Sequence, residues 1–268
     1  MGALGEMATV WMLALGRVGG LFVFAPVLAS VAIPARVRVL LAAVFAVVIY
    51  QGAASAAKRA GALPADTVSV TAAMIGEVSV GAAIGLIALL PIAGLQTGAA
   101  VLSQQIGFAL GAVYNPALET ESDPLSDLLS YLGLGVFMAM GGIEAMFIAV
   151  ARSVEVLPPG AALSGGIGGA GPWGLVVPVF ASGLEIALRV SAPVMAVMLL
   201  ETVATSILSK TLPSLNVFSV GLGLKVVIGL GVLAASLAVI ELVVDEEVGR
   251  VMRAVLRWSG GGGETLEP

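Results

Sequence analysis

Residues 67 to 118 read TVSVTAAMIGEVSVGAAIGLIALLPIAGLQTGAAVLSQQIGFALGAVYNPAL, and among these 52 positions only Glu77 carries a charge. A helix rises 1.5 Å per residue, and a bilayer core of about 30 Å is crossed by about 20 apolar residues. The stretch is too long for one membrane helix and reads as two, a hairpin with its break near Pro91 or at the Gly94–Gly98 pair. In the second half, Gln96, Thr97, Ala100, Ser103, Gln104, Gly107 and Gly111 recur at three, four and seven positions, with Leu95, Val101, Leu102, Ile106 and Phe108 largely off that face. Lipid cannot satisfy a polar, small-residue stripe, so it must meet another helix or water. The stripe runs into Tyr114-Asn115-Pro116 and the acids Glu119, Glu121, Asp123 and Asp127. Glu77 through Gly85 reads as an assembly face, the lone acid buried against a partner. Gln96 through Pro116 reads as an arm that closes a passage.

Composition extends the membrane reading to the whole chain. Of 268 residues, 59% are hydrophobic and 11% charged, with a mean hydropathy of +1.09. A soluble domain carries about 25% charged residues, so this chain has too little polar surface for a water-soluble fold. The net charge of -5 leaves no basic stripe for nucleic acid. With no Cys and no His, thiolate chemistry, the commonest metal ligand and the commonest general base are all missing. No metal or cofactor site is expected, and no catalysis. Ser164 lacks a His to activate it, and Gly166 to Gly171 fits GxGxxG without a preceding strand. Met1 to Met12 has no Lys or Arg, so the first apolar run reads as a retained helix rather than a signal peptide.

The expected fold is all-α: a polytopic membrane protein of bent helical hairpins with about six membrane-type helices. The apolar runs are 7–33, 37–57, 68–95, 96–113, 128–151, 173–208 and 215–244. The run 173–208, with Pro178 and Pro193, is either one kinked helix or a second hairpin. The domain reading is a membrane-embedded part over 1–244, then an amphipathic helix and disordered tail over 245–268. In that helix Glu246, Arg250, Arg253 and Arg257 share one face. The positive-inside rule mildly favours a cytoplasmic C-terminus.

Arg17, Glu77, Glu144, Glu185, Arg189, Glu201, Lys225 and Glu241 lie in or near apolar runs. A charge at the centre of a membrane helix costs roughly 2.5–3.5 kcal/mol on the mildest scale, so these side chains face protein, pair, or line water. Glu185 and Arg189 can pair at i,i+4. Both signs are present and no acids cluster, which favours inter-helix pairs over an ion relay. Gly16–Gly20, Gly81–Gly85, Gly94–Gly98 and Gly107–Gly111 are GxxxG spacings that permit close backbone approach.

Four blocks, in order, resemble the FliR/SctT family of type III secretion export-gate proteins. Arg17, Pro26 and Pro34-Ala35-Arg36-Val37-Arg38 form the first. The second joins Glu77, Gly81 and Gly85 to Gln104-Gln105-Ile106-Gly107-Phe108 and Asn115-Pro116. Gly141-Gly142 and Leu157-Pro158-Pro159-Gly160 form the third. Pro213-Ser214-Leu215-Asn216-Val217-Phe218, Gly221 and Lys225 form the fourth. The resemblance covers about Arg17 to Lys225. The chain departs from the family pattern at Ile143, Ser214 and Asn115, and near Glu201, where an acid stands at an Asn-like polar position.

The resemblance implies a subunit of a bacterial protein export gate, multi-pass in the inner membrane at the flagellar basal body. Its implied partners are FliP-like and FliQ-like gate subunits, with FlhB-like and FlhA-like export proteins, exported unfolded proteins and the lipid membrane. It also implies a channel plug at Gln104, Gln105, Gly107, Phe108, Gly111, Tyr114, Asn115 and Pro116. Assembly or inter-helix positions would be Arg17, Glu77, Gly81, Gly85, Glu185, Arg189, Pro213, Asn216, Phe218 and Lys225. The alternative, from the residues alone, is a proton-coupled secondary transporter using Glu77, Glu144 or Glu201.

Overall fold

The computed structural model describes every residue except 1–2, 31–32, 62, 65, 108–122, 162–170, 212–216 and 262–268, and omits the side chains of 3 and 217–220. Among the described residues there are seven helices and no strands: α1 Ala3–Phe24, α2 Ala35–Ala60, α3 Thr67–Ile106, α4 Pro124–Ala139, α5 Gly142–Val156, α6 Trp173–Thr211 and α7 Val217–Ser259. Five are long and apolar enough to cross a membrane. The pair α4–α5, bent by 59° at its break, makes a sixth candidate span.

The opening stretch is not a hairpin. It is one helix of 40 residues with Pro91 inside it. Proline deletes one backbone hydrogen bond, and a membrane helix absorbs that loss when neighbours re-satisfy the freed group. The glycines expected to break the helix serve close approach instead. A Cβ on Gly94 would lie 2.2 Å from the Gly183 carbonyl oxygen, and one on Gly98 would lie 2.9 Å from that of Ala187. The helix ends at Gly107, whose φ of 97° is open to glycine and whose N–H donates to the Ser103 carbonyl at 3.0 Å, a left-handed cap.

One other run differs from expectation: 128–151 is split at Gly141, where φ is 74°. Of the two readings for 173–208, one kinked helix or a second hairpin, the structure has the single helix, 39 residues long. The amphipathic segment after 244 continues the last span without interruption, as one helix of 43 residues. No turn residue separates them, so the helical pattern carries through.

The chain forms two compact units: Met1–Leu90 with Phe137–Ala181 and Val248–Pro268, and Pro91–Val136 with Ser182–Glu247. Their boundaries fall inside α3, α4, α6 and α7.

In the first unit, α1 packs on α2 and α2 on α5. Helix α2 buries an alanine face, including Ala42, Ala46, Ala53 and Ala57, and exposes Val39, Leu40, Val44, Val47 and Val48. Small residues bring its axis close to its neighbours while the larger side chains face outward. Phe147 joins the layers, with ring centroids 4.2 Å from Phe45 and 6.2 Å from Phe22.

After α1 the chain makes a γ-turn in which the Leu28 N–H donates to the Pro26 carbonyl at 2.8 Å. Its central residue is Val27, with φ of 67°. A β-branched residue there is strained. Val27→Gly is expected to stabilise the fold by about 1 kcal/mol, because glycine adopts this φ freely. Thermal unfolding in detergent checks it, and a lower midpoint would show that the valine contacts outweigh the strain.

Asp66 caps the start of α3. Its carboxylate accepts the Ser69 hydroxyl at 2.5 Å and the Ser69 backbone N–H at 3.1 Å. These two bonds, the hydroxyl foremost, hold its pKa below the ordinary 3.8. A depressed carboxylate pKa adds stability above the unfolded value, and that stability is lost as pH falls through the folded value. The difference between the native chain and Asp66→Asn is therefore expected to be full above pH 4 and to vanish below the folded pKa. Melting curves across pH 2–6 measure it, and a gap that persists at the acid end would refute this role.

Candidate functional site

The most constrained polar group in the first unit is a fully buried ion pair. Arg17 sits on the face of α1 that meets α3, and Glu77 lies on α3 opposite it. Arg17 Nε donates to Glu77 Oε2 at 2.6 Å, and both side chains are 0% exposed. Each of the other two guanidinium nitrogens also donates once. Nη1 donates to the Ser153 hydroxyl at 3.0 Å, and Nη2 to the Leu157 carbonyl at 2.8 Å. The other Glu77 oxygen accepts the Gly160 N–H at 3.1 Å. The Ser153 hydroxyl in turn donates to the Val150 carbonyl at 2.7 Å.

Two charges taken out of water are costly unless their hydrogen-bonding capacity is filled. Here the planar guanidinium spans α1, α3, α5 and the turn at Leu157–Gly160. An arginine fits this role better than a lysine, whose point charge lacks the fork.

Glycines set the distance across which the pair forms. A Cβ on Gly81 would stand 1.8 Å from the Arg17 carbonyl oxygen, one on Gly85 2.7 Å from that of Leu21, and one on Gly20 2.1 Å from that of Val78. The α1–α3 backbones therefore touch at Gly20, Gly81 and Gly85. Glu77 was expected to be buried against a partner and, with Arg17, to serve assembly or an inter-helix contact. The structure pairs the two across α1 and α3 of the same chain, and the GxxxG face beside Glu77 meets α1.

The other predicted positions are dispersed. Gln104 is exposed, Gln105 is half-buried, and Gly107 ends α3. Phe108, Gly111, Tyr114, Asn115 and Pro116 lie outside the described residues, as do Pro213 and Asn216. Phe218 belongs to α7, with its side chain undescribed. Glu185 and Arg189 pair at 2.5 Å on α6 with side chains 48% and 44% exposed. Glu201 is buried and accepts the Thr205 hydroxyl at 2.8 Å, whereas Glu144 is exposed. Lys225 is half-buried, with no hydrogen bond or ion pair among the described residues.

Sequence reasoning missed the uncharged half of the site. Ser153, the Leu157 carbonyl and the Gly160 N–H carry no charge signal. The Pro158-Pro159-Gly160 element was the only hint that this turn is held. It also missed a clasp in the second unit. The buried Ser103 hydroxyl donates to Asp123 at 2.6 Å, and Asp123 caps α4 through the Leu125 N–H at 3.1 Å and the Ser126 hydroxyl at 2.8 Å. That clasp joins the residues flanking segment 108–122. Asp123 had been read only as one of four acids.

Residues 8–251 match the family of bacterial export proteins, family 1. Among similar proteins, "Flagellar biosynthetic protein FliR" of Caulobacter vibrioides is 29% identical over 231 residues, covering 86% of this chain and 89% of that protein. The protein of the same name from Bacillus subtilis is 28% identical over 168 residues, 63% of this chain and 64% of its own. "Yop proteins translocation protein T" of Yersinia pestis is 26% identical over 153 residues, 56% of each. The matched span contains Arg17, Glu77, Ser153 and the Leu157–Gly160 turn, and on that match the chain belongs to the bacterial export proteins, family 1.

Proposed function

We propose that this chain is the FliR-like subunit of a type III protein export gate in the bacterial inner membrane. It would form part of the protein-conducting channel with FliP-like and FliQ-like subunits, close to FlhB-like and FlhA-like export proteins. Its role is structural and channel-forming, with unfolded polypeptides as cargo. The family match over residues 8–251 carries this reading, and the names of the relatives point to flagella and to type III secretion.

Helix α6 supports it physically. Large apolar side chains are exposed along it, among them Leu188, Leu199, Leu200, Val203 and Ile207. A contiguous apolar face of this kind is covered by lipid or by another protein surface, and a multi-subunit gate in a membrane supplies both. Glu77 is locked by Arg17 and Gly160, and no observation favours the transporter alternative.

Affinity purification of the tagged chain from mild detergent tests the reading. FliP-like and FliQ-like proteins are expected to come with it. Isolation as a lone monomer, with export unimpaired after deletion, would overturn it. Within the same reading, Gln104 through Pro116 supplies the plug. Bulky or charged replacements of Gly111 or Tyr114 are expected to make the membrane leaky to ions, and unchanged permeability across several of them would refute the plug assignment.

A further inference from the structure

The second unit carries a bilayer-sized section with a marked edge. Between Arg189 and Lys210 the only charged residue of α6 is Glu201, which is buried. Those 20 intervening residues span about 30 Å, the thickness of a hydrocarbon core. Helix α7 runs antiparallel beside it. The Ser182 hydroxyl donates to Glu247 at 2.6 Å, and a Cβ on Gly221 would lie 3.2 Å from Thr205. From Val217 to Ile240, α7 contains one charge, Lys225, and acids resume at Glu241. Arg189 and Glu185 thus stand where the apolar section ends. A bilayer core as thick as that uncharged section would set them at the depth of lipid headgroups.

A groove begins at that edge. It has a volume of about 320 Å³ and is lined by Arg189, Val190 and Pro193 of α6 and by Gly231, Ala235 and Val239 of α7. From Val239 to Gly231 it runs about 12 Å into the apolar section. Its floor is small residues, and nothing lies within 4 Å of where a Gly231 Cβ would stand. Arg189 is the charged residue that lines the groove, and it is paired with Glu185 one turn earlier on α6 rather than standing as a lone cation. One Arg189 nitrogen holds one Glu185 oxygen. The rest of the guanidinium fork and the second carboxylate oxygen have no partner among the described residues. A purely anionic headgroup would meet Arg189 but stand against Glu185. A headgroup carrying both charges satisfies both, with its phosphate on the guanidinium and its ammonium N–H groups on the carboxylate.

We propose that the α6–α7 groove seats one phospholipid with a phosphoethanolamine headgroup. The phosphate takes Arg189, the ammonium takes Glu185, and one acyl chain lies over Pro193 towards Gly231. This inference needs only that the chain is a membrane protein and stands apart from the export-gate reading.

The test is native mass spectrometry of the full chain released from nanodiscs containing equal phosphatidylethanolamine, phosphatidylglycerol and phosphatidylcholine. The native chain is expected to keep one phosphatidylethanolamine, at least tenfold in preference to the other two. Glu185→Gln is expected to reverse the preference towards phosphatidylglycerol, because the arginine then stands unopposed. Gly231→Leu with Ala235→Leu fills the groove and is expected to cut retention at least tenfold at an unchanged melting midpoint. Equal retention by all three chains, or a headgroup preference that Glu185→Gln does not move, would overturn the assignment. So would cross-linking of a Gly231→Cys chain to a companion subunit in place of lipid, which would make the groove a protein interface.

Discussion

Glu77→Ala is expected to remove the protein from the membrane fraction and abolish export. The substitution leaves the Arg17 guanidinium at 0% exposure with no counter-charge and takes the acceptor from the Gly160 N–H. Breaking a buried pair from one side costs about 3–5 kcal/mol. A folded protein holds only about 5–15 kcal/mol in total, so the loss is a large share of the stability. Immunoblots of membranes and unfolding midpoints in detergent measure it. A Glu77→Ala chain at normal abundance, with a midpoint near that of the native chain, would contradict this account.

Two further variants separate charge from hydrogen bonding. Exchanging the partners, Arg17→Glu with Glu77→Arg, keeps the opposite charges. It also points a carboxylate at the Leu157 carbonyl and a guanidinium at the Gly160 N–H, so little rescue is expected. Arg17→Met with Glu77→Leu removes both charges and orphans the Leu157 carbonyl and the Gly160 N–H, each worth about 1–3 kcal/mol. Paired apolar replacement of a buried ion pair is often tolerated. The apolar double variant is thus expected to outlast the charge exchange. The opposite order would mean that Coulomb attraction alone holds the site.

The membrane class was legible in the sequence because composition decides it. Helix lengths were not. Hydropathy marks segments that can enter a bilayer, but it assigns the same apolar residues to core, lipid and subunit contact. It therefore could not show that α3 runs through Pro91, or that α6 continues past both Pro178 and Pro193. Glycine was ambiguous for the same reason. Gly107 and Gly141 turn the backbone at positive φ, whereas Gly81 and Gly94 stay helical and admit a neighbouring backbone. Local spacing cannot tell these uses apart. Glu77 and its GxxxG face stood out as buried, yet the partner, Arg17, is 60 residues away. Periodicity names a face and leaves its neighbour unnamed.

That face provides the second large effect. Gly81→Ala adds one carbon, and it would stand 1.8 Å from the Arg17 carbonyl oxygen. Real contacts of this kind are essentially never under 3.0 Å, so α1 and α3 must separate by about 1 Å. Overpacking commonly costs about 1–3 kcal/mol, and more where backbone rather than a flexible side chain must yield. The carbonyl in the way belongs to Arg17 itself, so the movement also stretches the 2.6 Å bond to Glu77. About 3 kcal/mol of lost stability is expected, seen as low membrane abundance. Gly19→Ala is the internal control, since nothing lies within 4 Å of its Cβ. Alanine is the better helix former by about 0.8–1.0 kcal/mol, so Gly19→Ala is expected to be neutral or stabilising. The two substitutions are chemically identical and lie on helices that touch, so propensity cancels between them and close approach remains. Equal effects at both positions would show that α1 and α3 do not meet through their backbones, and the Arg17–Glu77 geometry would fall with that contact.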